Sequence, residues 1–341
     1  MTVTGTIAFI MILLFLMTPS FSLKGAIDGL MLCGNVIIPS LFPFCVIAIF
    51  MFKSGIVNFV SRLIDKISRI VFHLSGEQFC VFLMSFLAGY PVGMRLICEL
   101  AQAEKITLQQ AKRMGLYCIN AGPAFILVAV GEGILHDKDI GVILLLSNII
   151  ATIILAVAIE FNHKPAEAVY VKKEIYLSDA FVEATAQASS SIFSICAWVV
   201  LFSSLISMLK FEVFPEFIHT YLCYISEVTT AVVSASRNIP IIAAIISFGG
   251  LSVHCQVYSV GKKYSPPYPK FLLCRIIHAA ISAGSTFLLL KLTNKTVDTF
   301  SNGIKPIRHN LSFTYAGAVA LVSLCVFLIV STQVEKSKKI L

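Results

Sequence analysis

Two stretches, Ile140–Ile159 and Leu311–Val330, each run for twenty residues without a charged side chain. A helix needs roughly 20 mostly apolar residues to cross the hydrocarbon core of a bilayer. In lipid no water can replace a missing backbone hydrogen bond, so such runs must fold as helices or as a closed barrel. A barrel would show segments of about ten residues with alternating polarity, and these runs are continuous. Composition agrees: the 341 residues are 57% hydrophobic and 13% charged, with mean hydropathy +0.89, where a soluble domain carries about a quarter charged residues. The sequence predicts an all-α polytopic membrane protein.

Eight spans of full length are expected, at 4–21, 30–52, 112–131, 139–159, 181–209, 239–260, 270–292 and 311–331. No Lys or Arg precedes the apolar stretch Thr6–Met17, so a first transmembrane helix is expected there in preference to a signal peptide. Two further apolar stretches, 78–104 and 220–236, are broken or too short and are expected to be re-entrant hairpins, tolerated where protein or a cavity covers them. Between 55 and 76, Arg62, Asp65, Lys66 and Arg69 recur three to four apart among apolar residues, the spacing of an interfacial helix. With both termini in the cytoplasm, the inner segments carry 17 of the 26 Lys and Arg and the outer segments 7, as the positive-inside rule requires. The order span, hairpin, interrupted span, span then occurs twice with opposite orientation, giving two inverted repeats. The expected organisation is an N-terminal helix (1–24), a first repeat (25–160), a cytoplasmic linker (161–179), a second repeat (180–295), and a C-terminal helix with a basic tail (296–341).

Four motifs carry candidate function. In Gly89-Tyr90-Pro91-Val92-Gly93-Met94-Arg95, proline and two glycines stop one helix and start another. The free N–H groups of the new helix suit an anion, and Arg95 either joins them or snorkels to the headgroups. In Asn120-Ala121-Gly122-Pro123 an interrupted span exposes donors and acceptors, or kinks while Asn120 bonds a neighbouring helix. Glu227, with Thr229 and Thr230, is an intramembrane carboxylate and an ion or proton candidate, unless it lies at the surface. Gly249, Gly250, Ser252, His254 and Gln256 form the break of the second half; His254 is a second coupling candidate because histidine as a residue type can titrate near neutrality, or else a satisfied core residue. Arg275 and His278 are placed near the cytoplasmic interface.

The net charge of +8 sits in loops that set topology and touch anionic headgroups, and no basic–aromatic motif points to nucleic acid. The ten cysteines contain no C-x-x-C pair and are read as small hydrophobes, with no metal site. No cofactor is expected. The sequence lacks H-E-x-x-H, G-x-S-x-G, P-loop and G-x-G-x-x-G signatures, so no enzyme is expected.

Taken in order, Ile37-Ile38-Pro39-Ser40-Leu41-Phe42-Pro43-Phe44, the Gly89–Arg95 motif, Asn120–Phe125, Glu227-Val228-Thr229 and Ser247–Val257 resemble the YlbJ-like sporulation integral membrane proteins, within the broader nucleoside-recognition or Gate-domain group. The resemblance spans roughly 25–295. Where the family often has a small residue and Lys after its GYP-x-G, this chain has Met94-Arg95. The resemblance implies a transporter in the mother-cell-derived membrane around the developing spore, with dipicolinic acid as the first cargo and nucleosides or other aromatic anions behind it. The expected substrate residues are Gly89, Tyr90, Pro91, Gly93, Arg95, Asn120, Pro123, Thr229, Thr230, Gly249, Gly250, Ser252 and Gln256, with Glu227 and His254 for ion coupling. Expected partners are the lipid bilayer, a small anionic or aromatic solute, and a second copy or another sporulation membrane protein. A non-transporting scaffold for spore-envelope assembly is the alternative.

Overall fold

The computed structural model describes residues 3–166, 177–209, 216–235 and 238–293. The expected span 311–331, the basic tail, all of 296–341 and most of the linker 161–179 lie outside the described residues. Among those described there is no β-strand.

The chain opens with α1 (Val3–Met17), 15 residues long, ended by the break at Thr18. It is shorter than the span expected at 4–21. Pro19 then starts α2 (Pro19–Lys53), at a position where a missing N–H costs nothing. This helix is 35 residues long and passes through Pro39 and Pro43. A wide π-type turn at Cys33–Ile37 precedes the prolines and holds Asn35, whose carbonyl Pro39 leaves without its usual donor.

Next, α3 (Ile56–Val71) and α4 (Gly76–Ala88) meet at 92°. Helix α3 turns Ser61 and Ser68 toward the protein and leaves Phe59, Leu63, Ile67 and Ile70 exposed, as an interfacial helix does when lipid covers its apolar face. Asp65 fixes the corner by accepting from the Gly76 N–H and from Arg69 Nε, both at 2.7 Å. Ser75 and Gln78 form a capping box on α4.

A three-residue turn leads from α4 to α5 (Val92–Gln102). Helix α6 (Leu108–Met114) is followed by an unwound stretch and by α7 (Ala124–Ile134), wound as a π-type helix. Thus the expected span 112–131 is two short pieces. The long helices α8 (Lys138–Glu160) and α9 (Leu177–Met208) come next. Helix α10 (Glu216–Ser226) turns into α11 (Val228–Ser234) through the single residue Glu227. Then α12 (Ile239–Phe248) breaks at Gly249, φ +84°, into α13 (Gly250–Gly261), and α14 (Tyr268–Leu292) ends the described chain.

Five helical segments among the described residues are long and apolar enough to cross a membrane, and six if the bent α3–α4 pair is one span. They are α2, α8, α9, α12 with α13, and α14. The protein is a multi-pass membrane protein. Helix α2 packs along α9, and α8 packs along α14. Gly29 of α2 lets the first pair close up: a Cβ there would lie 3.0 Å from Val200 Cα, the close approach that small residues permit between membrane helices. The second pair is built inside out. Arg275, His278, Ser282 and Thr286 of α14 are buried, while Leu273, Ile276, Phe287 and Leu288 are exposed. Polar residues facing inward and apolar residues facing outward are what lipid selects.

Candidate functional site: two helix tips and two helix breaks

Each helix tip reaches a helix break through a glycine. At the first tip Gly89 has φ +71°, a conformation that glycine adopts without strain. A Cβ on Gly89 would lie 2.8 Å from Gly122 N, and one on Gly122 would lie 3.2 Å from Gly89 N. The two backbones touch because neither residue has a side chain. At the second tip the glycine is on the break. Gly250 has φ +69°, and a Cβ there would lie 3.0 Å from the Ser226 carbonyl and 3.2 Å from Glu227 N.

The tips and breaks meet around one buried cavity of about 30 Å³, room for about two waters. Gly89 and Tyr90 come from the first tip, Glu227 and Thr229 from the second, Gly122 from one break, and Ser252 and Gln256 from the other. Ile37 and Leu41 of α2 and Ile195 and Val199 of α9 close its apolar wall. Three buried atoms, Tyr90 OH, Ser252 Oγ and Gln256 Oε1, have no hydrogen-bond partner. Buried polar atoms are almost always satisfied, so an orphaned set around one cavity is a ready-made ligand contact.

The carboxylate of Glu227 is only 1% exposed. It accepts from Thr229 N at 3.0 Å, Thr229 Oγ1 at 3.1 Å and Thr230 N at 2.7 Å. It is therefore the N-cap of α11, holding the place an anion would take. The first tip has no such cap: Pro91 stands at the start of α5 without a side-chain acceptor.

A polar network lies behind the breaks. Asn120 Nδ2 donates to Ser85 Oγ at 3.1 Å, and Thr152 Oγ1 lies 2.7 Å from Asn120 Oδ1 and 2.9 Å from His278 Nε2. His278 Nδ1 lies 3.2 Å from the Ser247 carbonyl and 3.4 Å from Arg275 Nη1, so the ring links Thr152 to both. Ser247 Oγ in turn donates to Asn148 Oδ1 at 3.2 Å. At the centre Arg275, 2% exposed, donates to the carbonyls of Ile119, Leu116 (2.8 Å) and Ser247 (3.5 Å). Leu116 and Ile119 lie in the unwound stretch after α6, and Ser247 in the last turn of α12. Among the described residues no carboxylate lies within 4.0 Å of Arg275.

Of the residues expected at the site, Gly89, Tyr90, Glu227, Thr229, Ser252 and Gln256 line the cavity. Pro91 shapes the tip turn and Pro123 starts α7. Gly93 sits against the Cys118 carbonyl. Asn120 belongs to the network behind, Thr230 serves the Glu227 cap, and Gly249 and Gly250 make the break. His254 lies away from the cavity: its Nε2 is 3.2 Å from the Phe248 carbonyl, and Phe248, Tyr268 and Phe271 surround its ring. Arg95 also lies elsewhere, on a recess of about 420 Å³ with Glu99, Gln102, Ser190, Ser194, Ser259 and Lys262. The helical turn between Gly93 and Arg95 points the guanidinium away from the tip. Arg275 and His278, placed by sequence at an interface, are buried. The spacing Arg275, His278, Ser282, Thr286, one polar residue per turn in an apolar run, was the available signal; Thr152 with Asn148 on α8 repeats it.

No family model matches the chain, and no solved structure matches it. It is 30% identical over 126 residues to the sporulation integral membrane protein YlbJ of Bacillus subtilis, a match covering 37% of this chain and 31% of that protein. The chain thus matches under a third of the length of that curated relative. The similarity supports a YlbJ-like assignment.

Proposed function

We propose that the chain is a sporulation-related transporter or facilitator of a small organic anion, with dipicolinic acid as the first candidate. One observation carries the transport reading: two helix tips and two helix breaks converge on one buried cavity lined by residues with three unpartnered polar atoms, Tyr90 OH, Ser252 Oγ and Gln256 Oε1. Irregular backbone at membrane depth is tolerated where it lines a cavity, and broken helices around a midplane site are the architecture of many secondary transporters. In this reading the α4–α5 and α10–α11 pairs are re-entrant hairpins of two inverted repeats, and both termini are cytoplasmic. The cavity is too small for a ring compound, so the described conformation is the closed one. Movement of one repeat against the other would open it.

The anion assignment is supported by Arg275, a fixed cation without a nearby carboxylate behind both breaks. Sporulation enters through the name of the relative, and the mother-cell-derived membrane around the developing spore is the location proposed for it. Glu227 favours a second reading. A buried carboxylate in the cavity repels an anion strongly at low dielectric and suits a neutral polar solute such as a nucleoside, or an anion that enters with a proton.

Proteoliposomes loaded with labelled dipicolinate and, in parallel, labelled uridine test both. Dipicolinate flux is expected in wild type, reduced roughly tenfold in a Ser252→Ala/Gln256→Leu double variant through lost cargo hydrogen bonds. Equal flux in the two proteins removes the site. Uridine flux without dipicolinate flux selects the second reading.

A further inference from the structure

The recess that holds Arg95 shares no lining residue with the central cavity. It lies where α5, α9 and α13 meet, and its volume of about 420 Å³ falls within the roughly 300–1,000 Å³ of small-molecule sites. Its charges are unbalanced by design of the neighbouring contacts. Glu99 stands one helical turn from Arg95, where the two would normally pair. Instead Lys53 takes Glu99 at 3.2 Å while also holding Glu183 at 2.8 Å. Arg95 is left with no ion pair among the described residues, and its Nε is buried without a hydrogen-bond partner. An arginine desolvated on one edge, whose neighbouring Glu99 is held by Lys53, has a free fork for an anion, and that fork matches a carboxylate in bidentate fashion. Lys262 adds a second cation at the rim, and Ser190, Ser194 and Ser259 add hydroxyl donors.

We propose that this recess is a second binding site, for a small organic dicarboxylate, with one carboxylate on Arg95 and the other toward Lys262. Cargo would wait here before the central cavity opens. The staging role rests on the transport reading above; the existence of the site does not.

The test is calorimetric titration of the full chain in phosphatidylcholine nanodiscs. The probes are pyridine-2,6-dicarboxylate and its neutral analogue pyridine-2,6-dimethanol. The dicarboxylate is expected to bind and the diol not. Arg95→Gln is expected to weaken binding at least tenfold, Arg95→Lys to restore part of it, and Lys262→Gln, at an exposed position, to weaken it severalfold. In the Ser252→Ala/Gln256→Leu background the component of binding that Arg95→Gln removes is expected to persist, because the two sites share no lining residue. Binding unchanged in both Arg95→Gln and Lys262→Gln overturns the inference. So does dicarboxylate binding abolished by phosphatidylglycerol in the disc, which would assign the recess to a lipid headgroup. Arg95-dependent binding in a protein that shows no flux leaves the site standing and removes the transport reading. Normal flux with binding independent of Arg95 does the reverse.

Discussion

The two helix tips occupy matching positions and carry opposite chemistry. The second tip brings its own anion: Glu227 fills the N-terminus of α11 with three hydrogen bonds. The first tip ends in Gly89-Tyr90-Pro91, with no acceptor of its own. Glycines permit contact on both partners in the first case, Gly89 on the tip and Gly122 on the break, and on the break alone in the second, Gly250. The same junction is therefore built with different steric relief and with its charge on one side only. A site of this kind is polarised: one wall is a carboxylate, and the other offers a phenol and an uncapped helix start.

The comparison breaks most severely at the glycines. Gly89→Ala would set a Cβ 2.8 Å from Gly122 N at positive φ. Strain of about 1–3 kcal/mol plus the clash is expected to part the tip from the break, seen as loss of flux and a lowered Tm in detergent. Gly250→Ala meets backbone at 3.0 Å and is expected to cost somewhat less. Gly249→Ala, which shares the positive φ but meets only Val253 side-chain atoms at 3.3 Å or beyond, is expected to be the mildest of the three. A Tm ranking with Gly249→Ala lowest would show that the close backbone approaches do not hold the tips.

Next in size is Arg275→Met. It keeps the volume and removes the donors shared by Leu116, Ile119 and Ser247. Each buried carbonyl left bare costs about 1–3 kcal/mol, so a loss of several degrees in Tm is expected, with Arg275→Lys between the two. Full stability of Arg275→Met would mean that the carbonyls find other donors and that Arg275 does not tie the two breaks together.

Much of this arrangement was legible in sequence, and the illegible part has a common cause. Runs such as 139–159 fixed α8 because lipid leaves a continuous apolar segment no other structure. The breaks at Gly122-Pro123 and Gly249-Gly250 were readable from residue chemistry alone. Direction was not. Arg95 is two residues from Gly93, yet a helix turns about 100° per residue, so adjacency in sequence placed it at the wrong cavity. His254 was read as a coupling candidate or a satisfied core residue; Phe248 of α12 and Tyr268 and Phe271 of α14, which enclose its ring, favour the second. Arg275 looked interfacial because charges in apolar runs usually are, and only the carbonyls from two interrupted helices explain its burial. The 35-residue length of α2 was hidden for a simpler reason: the spans expected at 4–21 and 30–52 divide it, with Lys24 and Asp28 in the gap between them.

The smallest effects on stability sharpen the contrast between the tips most. Glu227→Gln keeps an acceptor for the α11 N–H groups and removes the charge, so a cost near 1 kcal/mol is expected, the usual worth of an N-cap. Ser252→Ala removes a hydroxyl with no partner, so stability should change by under about 0.5 kcal/mol. Their effects on transport should nevertheless differ in kind. Losing the Glu227 charge should raise the flux of an anion relative to that of a neutral solute, because the wall no longer repels negative charge. Losing the Ser252 hydroxyl should lower the flux of both. Proteoliposome flux of labelled dipicolinate and labelled uridine through the two variants separates these outcomes. A dipicolinate-to-uridine ratio in Glu227→Gln equal to that of wild type would mean that the carboxylate is only the cap of α11 and that the polarity of the cavity lies elsewhere.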